Sequence, residues 1–312
     1  MMDFNMFQEV VKDNILNSLP AEYKEASVSV HAVPKVNRTL HALTVMLPDR
    51  NKAPNIYLEE MYEHYQQNED IQTTLAEVAD AVVEATKEMS KVNPVLDADK
   101  IQDNVVLCLV NSTQNEELLK DVPNRSFQDL SVIYRWVVNM DRDGMQSMII
   151  TNDFAAARGF TEEELFQHAV ENTKRICPPR VKSMQEVMAD LAVEDGMPQE
   201  ILESMGVFDE IPPEKNLWVI TNEMGINGAA SMLYEENLHK LAEQIGTDLY
   251  LLPSSIHETI AVSVEMGAPE YLAQMVHDVN MTAVTLDERL SNNVYHYDKA
   301  VSYTHLRAHE TR

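Results

Sequence analysis

A serine, a histidine and a glutamate lie close together in the segment PSSIHE at residues 253–258. Ser255, His257 and Glu258 are the residue types of a nucleophile, a general base and the acid that orients the base. The segment also alternates like a strand, and neighbouring residues of a strand point to opposite faces. These three residues therefore cannot form a triad by themselves, and the pattern favours a polar turn whose serines bond the backbone. A hydrolase-like or small-ligand site at this turn is kept as an alternative hypothesis.

A second set of candidates follows the strand predicted at Leu217–Thr221. Asn222, Asn227 and Gly228 lie between this strand and a predicted helix, where backbone N–H groups are able to bind an anion. The segment GINGAAS lacks the G-K-[ST] of a phosphate loop, and its glycines miss the dinucleotide-binding spacing. We therefore retain the three residues as ligand-binding candidates, across a cleft from the PSSIHE turn, without a ligand class.

The histidine and cysteine patterns contain no complete set of metal ligands. His257 and Glu258 open like the zincin motif H-E-x-x-H, but Ala261 stands where the second histidine is needed. The two cysteines, Cys108 and Cys177, are far apart and neither belongs to a C-x-x-C pair. Two Glu–His pairs at i,i+4 spacing are typical of a solvated helix surface: Glu60–His64 and Glu235–His239. We expect neither a metal site nor a cofactor.

Both candidate sets belong to the segment Asn216–Glu265, the most strongly patterned part of the chain. Its apolar residues predict a strand at Leu217–Thr221 and a helix that ends at Gly246. Two further strands are predicted at Leu249–Leu252 and Ile256–Val264. A helix packed over strands in this way would bring the loops at the strand ends together.

The rest of the chain alternates between helical and strand periodicity. Helices are predicted at Phe4–Leu19, Ile56–Gln67, Ile71–Met89, from Thr161 to about Arg175, and at Pro269–Val279. Strands are predicted at Ser27–Val33, Leu40–Leu47 and Asn104–Val110, in a hairpin of Ser131–Met140 with Met145–Thr151, and near Asn293–Tyr297. Capping boxes are predicted at Thr161/Glu164 and Ser183/Glu186. The order is mixed, so we predict an α+β fold of two mixed α/β subdomains, with mainly antiparallel or mixed sheets flanked by helices.

The length of 312 residues suits two domains, each with its own core. The polar segment Asn111–Asn124 is the best linker candidate. We therefore predict an N-terminal α+β subdomain at residues 1–125 and a C-terminal one at residues 126–300.

The last twelve residues, VSYTHLRAHETR at 301–312, continue no earlier pattern. They are basic and histidine-rich, and they resemble one translated reading frame of a transposase adapter used to build sequencing libraries. We expect this tail not to be native, so its histidines are excluded from any site, and we expect the natural C-terminus to lie beyond about residue 299.

Charge is the outlying bulk property, with 24 Lys and Arg against 51 Asp and Glu and a net charge of −27. Such a field repels nucleic acid and anionic membranes and attracts cationic partners. The N-terminus has no signal-peptide pattern and no apolar run reaches membrane length, so we expect a soluble, cytoplasmic protein. Our leading hypothesis is a non-enzymatic interaction or accessory protein that binds a protein partner. A DNA-mimic inhibitor is a further alternative, although the acids are spread along the helices. The oligomeric state stays open.

Several stretches together resemble a bacterial family of unknown function, the domain family numbered 5688. They are PNIYLEEMYEHYQ, IITNDFAAARGFTEEELFQHAVENT, LWVITNEMGINGAASMLY, LYLLPSSIHETIAV and NVYHYD. The resemblance covers nearly all of residues 1–298. It implies an α+β unit in the cytoplasm and brings no established activity, cofactor or catalytic residue.

Overall fold

In the computed structural model, the described residues are 1–50, 52–91, 101–141, 144–194, 196–197, 211–301 and 303–306. The chain forms two compact units, Met1–Asp97 and Ala98–Arg312. This division lies before the boundary predicted after residue 125. The polar segment 111–124 belongs to the second unit because it joins two elements of one sheet, and it holds a short helix of its own.

The first unit is a three-stranded antiparallel sheet with three helices. Its helices are α1 (Phe4–Ser18), α2 (Leu58–Asn68) and α3 (Ile71–Lys91), and its strands are β1 (Ser27–Lys35), β2 (Arg38–Met46) and β3 (Asn55–Tyr57), in the order β1-β2-β3. Apolar residues at helical spacing on α1 and α3 share a core with alternate residues of β2: Phe7, Val11, Ile15, Leu43, Val45, Leu75, Val78 and Val82.

The second unit contains two antiparallel sheets. Its helices are α4 (Ile101–Asn104), α5 (Glu116–Asp121), α6 (Asn152–Arg158), α7 (Glu162–Ile176), α8 (Met184–Glu194), α9 (Glu235–Ile245) and α10 (Pro269–Thr282). Its strands are β4 (Val105–Asn111), β5 (Asn124–Phe127), β6 (Leu130–Asp141), β7 (Gly144–Ile149), β8 (Pro179–Ser183), β9 (Trp218–Asn222), β10 (Leu249–Leu252), β11 (Thr259–Ser263), β12 (Tyr295–Asp298) and β13 (Tyr303–Leu306). Short 3-10 helices cover Ala21–Tyr23 in the first unit, and Pro213–Lys215, Gly228–Leu233, Val264–Met266 and Leu286–Glu288 in the second.

The long strand β6 is the centre of the first of these sheets. It pairs with β4 on one side, and with β5 and then β7 on the other. The second sheet has six strands in the order β13-β12-β10-β11-β9-β8. Every strand pairing in the described residues is antiparallel, and helices flank the sheets, so the α+β fold class is confirmed.

Most predicted elements are present, with shifts at their ends. The capping boxes at Thr161 and Ser183 are confirmed by reciprocal bonds with the glutamate three residues on. Gly246 ends α9 in the left-handed conformation, as predicted. The predicted helix after Asn227 is a 3-10 segment first, and α9 begins only at Glu235. Ile56 belongs to β3 and not to the helix that follows it. In the predicted hairpin turn, residues 142–143 lie outside the described residues, as do residue 302 and residues 307–312 of the tail.

The carboxylate of Asp129, in the turn between β5 and β6, forms hydrogen bonds with the segment that leads into β12. It accepts hydrogen bonds from Ser291 Oγ at 2.8 Å, from Asn293 Nδ2 at 2.9 Å and from the hydroxyl of Tyr295. Tyr295 is fully buried, and burial, followed by the negative charge of Asp129, raises the pKa of its hydroxyl. One carboxylate thus links the two sheets of the second unit.

None of the helices in the described part of the chain is long and apolar enough to cross a membrane.

We expect Asp129→Ala to lower the free energy of unfolding by about 3 kcal/mol, because three donors lose a charged acceptor and one of them, Tyr295, is fully buried. Urea unfolding of the full chain measures this loss. The matched control is Asp121→Ala, an exposed acid at the end of α5, which should change stability by less than about 0.5 kcal/mol. Equal effects of the two substitutions would contradict the role given to Asp129.

Candidate functional site

The loop at residues 222–228 and the turn at residues 253–258 meet at the ends of two inner strands, β9 and β11, of the six-stranded sheet. β9 and β11 pair antiparallel, with Thr259 opposite Ile220, so the end of β9 lies beside the start of β11. The side chain of Thr221 donates to the carbonyl of His257 at 2.7 Å. The fold therefore brings the two predicted sets of candidates together, and we call this contact region the polar junction.

Gly228 permits the closest contact in the polar junction. A Cβ at this position would overlap the Thr221 hydroxyl and the His257 carbonyl, and would lie 2.9 Å from the backbone nitrogen of Asn222. Just beyond it, the N–H of Ala229 donates to the carbonyl of Ile256 at 3.1 Å. Only a residue without a side chain lets the loop backbone approach the turn this closely.

The imidazole of His257 lies between a backbone amide and a carboxylate. The N–H of Asn227 donates to Nδ1 at 3.3 Å, and Nε2 lies 3.5 Å from Oε1 of Glu288. Because Nδ1 accepts a hydrogen bond, the ring proton belongs on Nε2, where it faces the carboxylate. Asn227 has a left-handed backbone, with φ 51°.

Ser255 and Glu258 interact with each other and with the backbone of the turn. Ser255 is buried, and its Oγ accepts from the N–H of His257 at 3.0 Å. Burial raises the pKa of the half-buried Glu258 carboxyl, and the charge of Glu288 raises it further. Proximity to His257 and a hydrogen bond from Ser255 lower this pKa. The serine hydroxyl is therefore bonded to a carboxyl group and an amide, while the imidazole faces other groups.

Asn222 and Asn227 both form side-chain hydrogen bonds within the protein. Asn222 closes its own loop, with Nδ2 donating to the carbonyl of Ile226 at 2.8 Å and Oδ1 accepting from the N–H of Met224 at 3.0 Å. The Oδ1 of Asn227 accepts from the thiol of Cys108 at 3.5 Å. The backbone amides of residues 227 and 229 also have protein acceptors. The predicted anion cradle therefore has two of its donors occupied.

The geometry differs from that of a nucleophilic hydrolase. In such a site the base must accept the proton of the nucleophile, so the imidazole and the serine hydroxyl share a hydrogen bond. Here both ring nitrogens of His257 face Asn227 and Glu288. Among the described residues, no group of three or more His, Cys, Asp or Glu side chains is placed to hold a metal ion. His64 and His239 lie beside Glu77 and Glu243 on exposed helix surfaces.

Sequence reasoning missed three members of the polar junction: Thr221, Glu288 and Cys108. Thr221 is the last residue of the predicted strand Leu217–Thr221. The pairing of β9 with β11 places it beside the turn. Cys108 is buried on β4, where burial raises the pKa of its thiol, and it is far from the polar junction along the chain. Glu288 lies in the 3-10 segment after α10, and no local pattern marks it.

A separate cavity of about 330 Å³ opens among α5, α6 and the start of α7. None of the candidates predicted from the sequence lines it. Its only carboxylate belongs to Glu162, which already accepts two hydrogen bonds from Arg125 and one from the hydroxyl of Tyr134. This cavity therefore lacks an uncommitted charged group to fix a ligand.

The polar junction also fixes the segment that follows α10. The N–H of Ile256 donates to the carbonyl of Glu288 at 2.8 Å, and the N–H of Leu290 donates to Ser254 at 2.9 Å. At the end of α10, the buried Asn280 donates from Nδ2 to the carbonyl of Ser291 at 3.0 Å. The PSSIHE turn, the segment after α10 and the end of α10 itself are therefore held as one piece.

The fold is thus that of an α+β protein with two compact antiparallel-sheet units. The chain belongs to the family of unknown function DUF5688, whose model matches residues 4–299. The match ends before the tail at residues 301–312, and the adapter origin of that tail stays a prediction. No curated protein and no solved structure matches the chain.

We expect Gly228→Ala to lower the free energy of unfolding by about 1–3 kcal/mol, because the added methyl group overlaps Thr221 and His257. The control is Gly267→Ala, where the backbone is extended and the nearest atom to a Cβ is 3.9 Å away. That change should cost less than about 0.5 kcal/mol. Chemical denaturation of both variants decides the matter, and a neutral Gly228→Ala would show that the loop is free to move away from the turn.

Glu258 should make stability depend on pH. Because its pKa is raised above 4.5, the folded protein holds this proton more tightly than the unfolded chain does. The free energy of unfolding then falls as pH rises from 4.5 through the folded-state pKa. Glu258→Gln carries no titratable proton, so its stability relative to the wild type should increase as pH rises from 4.5 through the folded-state pKa. A constant difference across this range would contradict the raised pKa.

Proposed function

We propose that this protein is a non-enzymatic accessory protein that binds a cationic segment of a partner protein. The observation that carries the proposal is the distribution of charge in the second unit. Residues 241–288 contain eight acidic residues and no lysine or arginine. A surface formed by such a segment attracts a positively charged partner and disfavours an anionic one.

The contacts within the polar junction support a binding role over a catalytic one. A catalytic nucleophile needs a base that is able to take its proton, and a substrate needs polar groups that are not already committed. In the polar junction, Ser255 bonds the turn, Asn222 bonds its own loop, and the ring of His257 lies between Asn227 and Glu288. These contacts give rigidity, which favours a surface that is ready to bind.

A small-ligand site at the same place is a second candidate function. His257 and Glu288 lie side by side and remain 29% and 42% exposed, so a ring edge and a carboxylate reach solvent together. A thermal-shift screen with divalent metals, nucleotides and small metabolites tests this candidate, since a ligand of the folded state raises the melting temperature. A rise in melting temperature that disappears in His257→Gln would favour the small-ligand site. A screen in which no compound raises the melting temperature would count against this site and leave partner binding as the proposed function.

The partner-binding proposal predicts that the full chain binds a cationic helical peptide. The probe is a fluorescein-labelled peptide of about 18 residues, long enough to form a helix, with leucines on one face and lysines along its flanks. Binding followed by fluorescence anisotropy should saturate at one peptide per protein. Because salt screens charge pairs, it should weaken roughly tenfold between low ionic strength and about 0.3 M salt.

The matched control for this probe is the same peptide with glutamate in place of every lysine, which should not bind. Equal binding of both peptides, or no binding of the lysine peptide at low salt, would overturn the proposed function. Capture of a DNA-binding protein in competition with its DNA, without binding of the helical peptide, would instead favour DNA mimicry.

A further inference from the structure

Helix α10 exposes apolar side chains on the face beside its buried one. Its buried residues pack against β10 and β11: Leu272, Ala273 and Val276. On the outer side, Tyr271, Met275 and Val279 follow one another at four-residue steps, so they form a continuous stripe along the helix. Their exposed fractions are 65%, 47% and 46%, in the same order.

Exposed methionines also lie at both ends of α10. Met266 precedes the helix and is 39% exposed, and Met281 near its end is 58% exposed. The thioether of Met281 contacts the guanidinium of Arg289, which also donates to the carbonyl of Val284. Methionine side chains are flexible and polarisable, and they adapt to partners of varied shape. A continuous exposed stripe of this kind is typical of an interaction surface, whereas single exposed apolar residues are common on any protein surface.

The charges along the chain at this surface are mainly acidic. Glu265, Glu270, Asp278 and Asp287 lie on α10 or next to it, and Arg289, which contacts Met281 after the end of the helix, is the first Lys or Arg after Lys240. The occupant must therefore bring positive charge as well as apolar side chains. An amphipathic helix with lysine or arginine beside an apolar face meets both needs, because its anchors at i, i+3 or i+4, and i+7 match the stripe.

Helix α8 also exposes apolar residues, but its surroundings carry both signs of charge. Met188, Leu191 and Val193 are 54%, 56% and 61% exposed. Next to them, Lys182 forms an ion pair of 2.5 Å with Asp190.

The chain around α8 is acidic as well, but Asp190 is paired with Lys182, and Glu186 accepts hydrogen bonds from Ser183. The three apolar residues of α8 do not all follow one another at three- or four-residue steps, so they form no continuous stripe. Helix α8 is therefore a reference with similar apolar exposure but without the stripe.

We infer that the α10 surface, defined by Tyr271, Met275 and Val279 with the acids beside them, is the docking site for a cationic amphipathic helix of a partner protein. This inference rests on the proposed function and adds its location and the form of the partner. The polar junction holds the end of α10 in place through Asn280 and the segment after it. The backbone at the end of α10 is therefore fixed before the partner arrives, which lowers the entropy cost of binding.

The test compares two triple variants of the full chain in the anisotropy assay with the lysine–leucine peptide. Tyr271→Gln/Met275→Gln/Val279→Gln removes the stripe, and Met188→Gln/Leu191→Gln/Val193→Gln removes a similar exposed apolar area from α8. We expect the α10 variant to bind at least roughly tenfold more weakly and the α8 variant to bind like the wild type. Both sets of side chains are exposed, so circular dichroism should show both variants folded.

The order of residues in the peptide and the negative charges on α10 give a second, independent readout. A scrambled peptide of the same composition, which cannot form an apolar face, should bind about tenfold more weakly than the amphipathic one. Glu270→Gln/Asp278→Asn should reduce the dependence of affinity on salt while leaving the preference for the amphipathic order.

The possible outcomes distinguish an error in the α10 docking site from an error in the proposed function. If the peptide binds but the α10 and α8 variants behave alike, the α10 docking site is wrong and the proposed function stands. If no cationic peptide binds, both fall. If sedimentation shows that the chain self-associates and the α10 variant alone is monomeric, the surface joins two copies and the inference is overturned.

Discussion

The approach of the Gly228 backbone to His257 is the constraint on which the polar junction depends. No side chain fits there, so the loop after β9 lies directly on the turn before β11. From this contact, Asn227 is brought to the imidazole of His257, and the imidazole to Glu288. The segment around Glu288 in turn continues to the end of α10. A single position without a side chain therefore sets the geometry of one whole end of the second unit.

Polar residues at this end of the unit hold the chain in place through hydrogen bonds. Hydrogen bonds buried away from water are strong when every partner is present, and costly when one is missing. Ser255 and Asn222 bond backbone groups of their own turn and loop, and Asn280 bonds the backbone of the segment after α10. Asp129 accepts hydrogen bonds from side chains of the segment that leads into β12, and so links the two sheets. The result is a rigid frame in which the polar groups form hydrogen bonds with one another. What such a frame presents to the solvent is its outer surface, with its excess of acidic side chains.

The sequence was informative about elements and less so about what lies between them. Apolar periodicity located the helices and strands because burial imposes it, and the pairing of β9 with β11 explains why two separate sets of candidates meet. The 3-10 segment at Gly228–Leu233 was missed because its small residues fit a helical pattern, while its conformation is set by contact with the turn. Glu288 was missed because it reaches His257 only through tertiary structure. The linker at residues 111–124 was inferred from polarity, yet that polarity belongs to α5 and to asparagines that bond the backbone.

The order of the six-stranded sheet has a further consequence at its β8 edge. β8 begins at Pro179, which has no N–H to donate, and carries Arg180 and Lys182 along a strand of five residues. Proline, positive charge and short length are the features by which natural sheets discourage an added strand. This edge is therefore protected against pairing with the strands of other molecules.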